Sequence, residues 1–217
     1  MKSDYESGIW QRRVLGTLCA LLSPLSLLFG LLGKNNFPGW YMSISDTYYA
    51  NDCMIMIGLL CATAIFFLTY KGYDWRDRMM SIIQAVSALG VVAFPCGNSH
   101  VSTTGFFDLP CSTSVIFHCI SAGVLFTAFA VNILWLFTQT GENPTAEKQK
   151  RNIIYKVCGW TIIVTALIQV AEITTGLASK VLEPKGIPYI AINEFIMLMA
   201  FAFAWFVKGE LFKKLND

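Results

Sequence analysis

Six long apolar runs, with few or no charged side chains, constrain the fold of this 217-residue chain more than any other feature. A helix crosses the bilayer core of about 30 Å with about 20 mostly apolar residues. The strands of a membrane barrel alternate in polarity over about ten residues, whereas these runs are continuously apolar. We therefore predict an all-α polytopic membrane protein, a bundle of six transmembrane helices. The predicted spans are 14–33, 53–70, 79–95, 115–137, 153–175 and 190–207.

The charged residues are too few for a soluble protein of this size. They make up 14% of the chain, against about 25% in ordinary soluble domains. The loops between the predicted spans are at most 19 residues long, so residues 1–217 are predicted to form a single membrane domain. A net charge of +2 gives no reason to expect a nucleic-acid partner.

Lysine and arginine are distributed unevenly between the two sets of loops. Thirteen flank the predicted spans on one side of the membrane and three on the other. Basic loops stay in the cytoplasm, which predicts a multi-pass protein of the cell membrane with both termini cytoplasmic. The first, third and fifth loops then face outward. The three basic residues predicted to lie outside are Lys34, Lys180 and Lys185.

Three ionisable residues within the spans are candidate functional residues, because such groups are costly to place in a membrane. His118, Glu172 and Glu194 all fall near the outer ends of their spans, given the helical rise of 1.5 Å per residue. With Asp46 of the first loop they form the predicted catalytic set, in which His118 is a general base oriented by a carboxylate. The predicted ligand-binding residues are Ser45, Asp46, Asp52, His118, Gln169, Glu172, Asn193 and Glu194.

A structural role competes with the catalytic one for His118. Its ring can instead bond to a backbone carbonyl or to a nearby hydroxyl such as that of Ser121. The fifth span leaves a similar choice, because Thr161, Thr165 and Gln169 lie on one helix face with Glu172. Such a stripe either faces a polar cavity or forms hydrogen bonds to neighbouring helices. The sequence leaves both choices open.

No metal or cofactor is predicted. No two metal ligands stand at a diagnostic spacing such as His-x-x-x-His. The chain also lacks a phosphate loop, a dinucleotide fingerprint and a Gly-x-Ser-x-Gly elbow. Cys96 and Cys111 flank the third loop, which faces an oxidising compartment in the predicted orientation. They are therefore candidates for a disulfide.

Four short segments resemble a known group of membrane proteins. They are Ser-Ile-Ser-Asp-Thr-Tyr-Tyr at 43–49, Phe-His at 117–118, Asn-Glu-Phe at 193–195 and Ala-Phe-Ala-Trp-Phe at 202–206. The chain resembles the damage-regulated autophagy modulator family and the related GPI-anchor lipid-remodelling proteins, and most nearly their uncharacterised bacterial members. This resemblance implies six spans and a function connected with membrane lipid.

Three functions fit the sequence. The first is binding or remodelling of a membrane lipid by the outer polar cluster, with or without catalysis. The second is a non-enzymatic scaffold or accessory subunit, whose polar groups only lock the helices together and whose protein partner the sequence does not identify. The third is a small transporter or channel. It has the weakest support, because the ionisable residues gather at one level and do not continue across the membrane.

Overall fold

Helices dominate the computed structural model, which describes residues 2–32, 41–50, 53–98 and 100–216. The α-helices are α1 (Lys2–Leu32), α2 (Cys53–Thr69), α3 (Trp75–Ala93), α4 (Cys111–Val131), α5 (Ala146–Thr175), α6 (Leu177–Leu182) and α7 (Tyr189–Lys208). Short 3₁₀ turns occupy Ser45–Tyr49, Glu183–Lys185 and Lys213–Leu215, and a π-helical turn, Asn132–Leu136, extends α4. One antiparallel hairpin pairs β1 (Thr103–Thr104) with β2 (Leu109–Pro110). The all-α prediction is confirmed.

The six longer helices pack as a closed ring in the order α1, α2, α3, α4, α5, α7, with α7 returning to α1. Successive helices run in opposite directions, so the start of α1 lies beside the end of α7. Arg13 Nε donates to the Gly209 carbonyl at 2.7 Å, and Arg12 Nη1 donates to the Lys208 carbonyl at 3.4 Å. We call this the basic end of the bundle. The opposite end, which carries the 41–50 loop and the β-hairpin, is the loop end.

Four of the helices are long and apolar enough to cross a membrane. These segments are Glu6–Leu32, Cys111–Leu136, Ala146–Thr175 and Tyr189–Lys208. Helix α2 is also apolar but has only 17 residues. Helix α3 has 19 residues and begins with a charged turn. The fold is therefore that of an integral membrane protein by helix length and composition.

Helix α2 begins at the predicted residue and α7 within one residue of it, whereas α3 and α5 begin before their predicted spans, where capping side chains set the start. The Asp74 carboxylate accepts the Arg76 and Asp77 amides at 2.8 and 3.1 Å and so begins α3. Thr145 caps α5 by accepting the Lys148 amide at 3.1 Å, so the helix begins at Ala146, seven residues before the predicted span at 153. Such side chains satisfy backbone amides that have no partner within the helix.

An aromatic cluster fills the centre of the ring towards the basic end. The rings of Phe129 on α4 and Phe201 on α7 stack with centroids 3.6 Å apart. Trp205 is fully buried. The centroid of its ring lies 6.1 Å from that of Phe67 on α2 and 5.1 Å from that of Phe137. These contacts join α2, α4 and α7 across the ring, so the loop end stands on a packed base.

Candidate functional site

The loop at residues 41–50 covers the loop end of the ring and is held by its own polar side chains. The Ser43 amide donates to Asp46 Oδ2 at 2.8 Å, and the Asp46 amide donates to Ser43 Oγ at 3.0 Å. This reciprocal pair caps the 3₁₀ turn in the manner of a helix capping box. It fixes the direction of the Asp46 carboxylate.

Glu194 on α7 attaches this loop to the helix ring. Its Oε2 atom accepts the amide of Ile44 at 2.6 Å, and a second bond runs from the Ala191 amide to the Met42 carbonyl at 2.8 Å. Ile44 is 5% exposed, so its amide has no access to bulk water as an alternative partner. The second oxygen of Glu194 forms no hydrogen bond with the part of the chain that the structure describes.

His118 lies about two turns into α4 and is 7% exposed. Its Nδ1 atom lies 2.8 Å from the carbonyl oxygen of Phe94, at the end of α3. A carbonyl can only accept, so Nδ1 carries the proton and Nε2 of the neutral ring is the acceptor. The predicted backbone-carbonyl partner of His118 is present, and this carbonyl occupies the place that the catalytic hypothesis gave to a carboxylate.

Cys96 belongs to the same cluster, although the sequence suggested it only as half of a disulfide. Its thiol donates to Asp46 Oδ1 at 3.5 Å. Burial, together with the neighbouring Asp46 carboxylate, raises the pKa of the Cys96 thiol. Its backbone carbonyl accepts the Tyr49 hydroxyl at 2.6 Å, which ties the first loop to the third.

The predicted Cys96–Cys111 disulfide is not formed in the structure, where both residues are free thiols. Each sulfur has its own partner. While Cys96 is engaged with Asp46, the sulfur of Cys111 accepts the Asn98 amide at 3.1 Å. The third loop is instead shaped by the β-hairpin and by hydrogen bonds.

A cavity of about 950 Å³ opens beside this cluster, between α4 and α5, with α7 behind it. Its loop end is polar, and its walls towards the basic end are apolar. The polar lining residues at the loop end are Ser43, Ser45, Asp46, Cys96, His118, Gln169 and Glu194. The apolar wall includes Ala122, Phe126, Ile163, Ala166, Leu167 and Val170. Leu167 and Val170 are more than half exposed, so the cavity reaches the outer surface of the ring.

Several predicted site residues do not line this cavity. The Glu172 carboxylate accepts the Ala178 and Ser179 amides at 2.6 and 2.9 Å and the Tyr189 hydroxyl at 3.2 Å. It therefore closes the turn from α5 into α6, away from the other carboxylates. Asn193 donates to Gln169 Oε1 at 3.3 Å and so links α7 to α5. Asp52 lies outside the described residues.

The polar stripe on α5 divides in the structure. The hydroxyls of Thr161 and Thr165 donate to carbonyls of their own helix, at Val157 (2.9 Å) and Thr161 (2.7 Å). They serve neither a cavity nor a neighbouring helix. Gln169 alone of the stripe does both, since it lines the cavity and accepts from α7.

The cluster contains an acceptor nitrogen, on His118, and the carboxyl oxygens of Asp46 and Glu194, but its described residues are not arranged to bind a metal ion. Among residues 2–32, 41–50, 53–98 and 100–216, no group of three or more His, Cys, Asp or Glu side chains is arranged to hold an ion. What the site provides is an acceptor nitrogen, two carboxyl groups and a thiol at the mouth of an apolar cavity. Comparisons of the chain with protein-family models, with curated proteins and with solved structures find no match.

Proposed function

We propose that the chain is a six-span protein of the cell membrane, with both termini cytoplasmic. Helices α2 and α3 stand in the same ring as the four longer apolar helices, and at 17 and 19 residues they are about 26 and 28 Å long. The basic end gathers the cationic residues of both chain ends, such as Arg12, Arg13 and Lys208. The positive-inside rule would place that end in the cytoplasm and the loop end outside.

We infer that the cavity between α4 and α5 binds a membrane lipid. The observation that carries this proposal is the combination of apolar walls, lateral exposure and a polar end in one cavity of about 950 Å³. Ligand cavities of this size are mostly apolar with a few orienting polar groups. An acyl chain would lie against Phe126 and Leu167, and the headgroup would meet Asp46, His118 and Glu194. This is also the theme that the resemblance to the lipid-remodelling proteins implies.

Remodelling of the bound lipid would use His118 as the base. Nε2 of the neutral ring is the acceptor that general-base catalysis needs, and the Phe94 carbonyl holds the ring in place through Nδ1. A hydroxyl or water would transfer its proton to Nε2, and Glu194 or Asp46 would orient the reacting group. Binding without turnover needs the same cavity and the same polar groups. The two forms of the proposal differ only in whether His118 accepts a proton from the reacting group.

A glycine on the cavity wall permits a sharp test of lipid binding. A Cβ added at Gly123 of α4 meets no atom within 4 Å, so Gly123→Leu places a larger apolar side chain on the cavity wall with open space at its first carbon. Gly58 of α2 is also free of neighbours within 4 Å but lies outside the cavity, which makes Gly58→Leu the matched control. We expect Gly123→Leu to lose most of the lipid that co-purifies in mild detergent, as measured by native mass spectrometry.

The polar end needs its own variants. His118→Ala and Glu194→Gln are expected to reduce lipid retention or turnover while Gly58→Leu retains wild-type levels. Equal co-purified lipid in the wild type, Gly123→Leu and Glu194→Gln would refute lipid binding at this cavity. If these variants change only thermal stability, the scaffold function is the correct one.

A further inference from the structure

A second cavity, of about 430 Å³, lies at the basic end and is distinct from the proposed lipid site. It sits among α3, the end of α4, α5 and the end of α7, and polar side chains dominate its lining. Three of them are cations, Lys148, Arg151 and Lys208. No part of the proposed lipid function uses this cavity, so the two can be tested separately.

Lys208 is the central feature of this cavity. Its Nζ atom lies 4.8 Å from the centroid of the Tyr73 ring and 5.1 Å from that of Phe137. Aromatic faces attract an ammonium group but accept none of its three N–H donors in an ordinary hydrogen bond. Within the described part of the chain, Lys208 Nζ has no hydrogen-bond acceptor and no ion-pair partner. A cavity-facing cation in this state lacks the anionic or acceptor oxygen that such groups ordinarily have.

Further positive charge surrounds Lys208. The Arg12 guanidinium lies 4.7 Å from the centre of the Tyr73 ring, on which Lys208 also rests. Lys148 lies 5.6 Å from the centre of the Tyr155 ring, and Arg151 is one turn further along α5. These three cations repel the Lys208 ammonium, and the Asp77 carboxylate attracts it without forming an ion pair.

Three carboxylates also line the cavity, and two of them are committed to backbone amides. Asp74 Oδ1 accepts two amides at the start of α3, at 2.8 and 3.1 Å. Asp77 Oδ2 accepts the Tyr73 amide at 2.8 Å. The third is Glu210, beyond the end of α7. With Arg12 counted, four cations face three carboxylates, and the ammonium of Lys208 is paired with none of the three.

We propose that this cavity binds a phosphate group, with Lys208 as its principal ligand. Phosphate oxygens would accept from the Lys208 ammonium. Lys148 and Arg151, whose side chains also donate to the Phe137 and Leu215 carbonyls, would add positive charge. The phosphate can belong to the headgroup of a lipid in the adjacent leaflet or to a soluble phosphomonoester. Both sources present the same chemistry to the site.

The test compares both sources on the full-length protein in nanodiscs. Phosphatidylcholine discs with and without phosphatidic acid report the lipid source, and inorganic phosphate added to pure phosphatidylcholine discs at matched ionic strength reports the soluble one. Lys208→Met removes the ammonium but keeps the apolar stem beside the rings. Lys213→Met removes the same charge from an exposed position at the same end, outside the cavity, and is the control.

We expect Lys208→Met to weaken binding of the active probe by about tenfold, the loss of one charge-assisted hydrogen bond. Lys213→Met should leave the affinity unchanged, and Lys208→Arg should retain most of it. Failure of both probes to bind the wild type would overturn the proposal, as would equal losses in the two methionine variants. Should Lys208→Met not fold, Lys148→Met takes its place, and wild-type affinity in that variant counts against the site.

Discussion

The attachment of the 41–50 loop to α7 through Glu194 gives the most direct prediction on stability. Glu194→Met keeps the length of the side chain but replaces the carboxyl group with a weakly accepting sulfur. The amide of Ile44, bonded to Oε2 at 2.6 Å and 5% exposed, then loses its acceptor. Leaving a buried donor unsatisfied costs about 1–3 kcal/mol, so we expect the free energy of unfolding to fall by that amount.

The matched variant is Glu194→Gln, whose amide oxygen can still accept from Ile44. It should lose less than about 1 kcal/mol, because a neutral acceptor replaces the carboxyl oxygen in the same place. The unfolding free energies are measured by denaturant titration of the delipidated protein in mixed micelles, followed by tryptophan fluorescence. Hydrogen–deuterium exchange supplies a local readout, since uptake in segment 41–50 should rise in Glu194→Met alone.

Equal stability of the methionine and glutamine variants, together with unchanged exchange in segment 41–50, would refute this account of Glu194. The second loop bond, from the Ala191 amide to the Met42 carbonyl at 2.8 Å, is present in both variants. It limits the effect to partial detachment of the loop. A complete loss of folding in Glu194→Met but not in Glu194→Gln would mean that this bond contributes more to the free energy of unfolding than the about 1–3 kcal/mol expected for one unsatisfied donor.

Three further predictions concern packing and cysteine chemistry. A Cβ at Gly16 would lie 2.8 Å from the Phe206 ring, so Gly16→Ala should be less stable than Gly58→Ala, which has open space, by about 1–3 kcal/mol in the same unfolding assay. Because burial raises the pKa of the Cys96 thiol, its alkylation at pH 8 should be slow in the folded protein and accelerate as the pH rises. All seven cysteines are free in the structure, so denatured, unreduced protein should take up seven alkyl groups; five would show the Cys96–Cys111 disulfide.

The helices were predictable because lipid imposes a simple rule on composition. Each apolar run corresponds to a helix in the structure, and the errors lie at helix starts, where capping residues such as Asp74 and Thr145 decide. The position of the polar residues along the helix axis was also predictable, because it follows from the rise per residue. Rotation about the helix axis was not, since it depends on packing against neighbours. Glu172 consequently lies at the expected end of its helix but turns into the α5–α6 junction.

The partners of the polar residues could not be predicted for a related reason. Glu194 bonds to the Ile44 amide, His118 to the Phe94 carbonyl and Glu172 to the Ala178 amide. Every residue type carries the carbonyl, and every type except proline carries the amide N–H, so no sequence pattern marks the ones that become partners. Cys96 is a further case, because the sequence suggested it only as half of a disulfide and not as a neighbour of Asp46.

The geometry also removes the opposition between a structural and a functional role for the cluster at the loop end. Each of its main residues uses one atom for the fold: Oε2 of Glu194 holds Ile44, Oδ2 of Asp46 holds Ser43, and Nδ1 of His118 holds Phe94. The other atom of each group does not form this anchoring bond, and that of Asp46 accepts, among the described residues, only the long bond from the Cys96 thiol. These are the second carboxyl oxygen of Glu194, Oδ1 of Asp46 beside the Cys96 thiol, and Nε2 of His118, and all four side chains line the same cavity. Anchoring through one atom fixes the orientation of the other, which is the condition for a site whose polar groups are set before the ligand arrives. A variant that preserves the anchoring atom and alters the other one should therefore change ligand binding at little cost in stability.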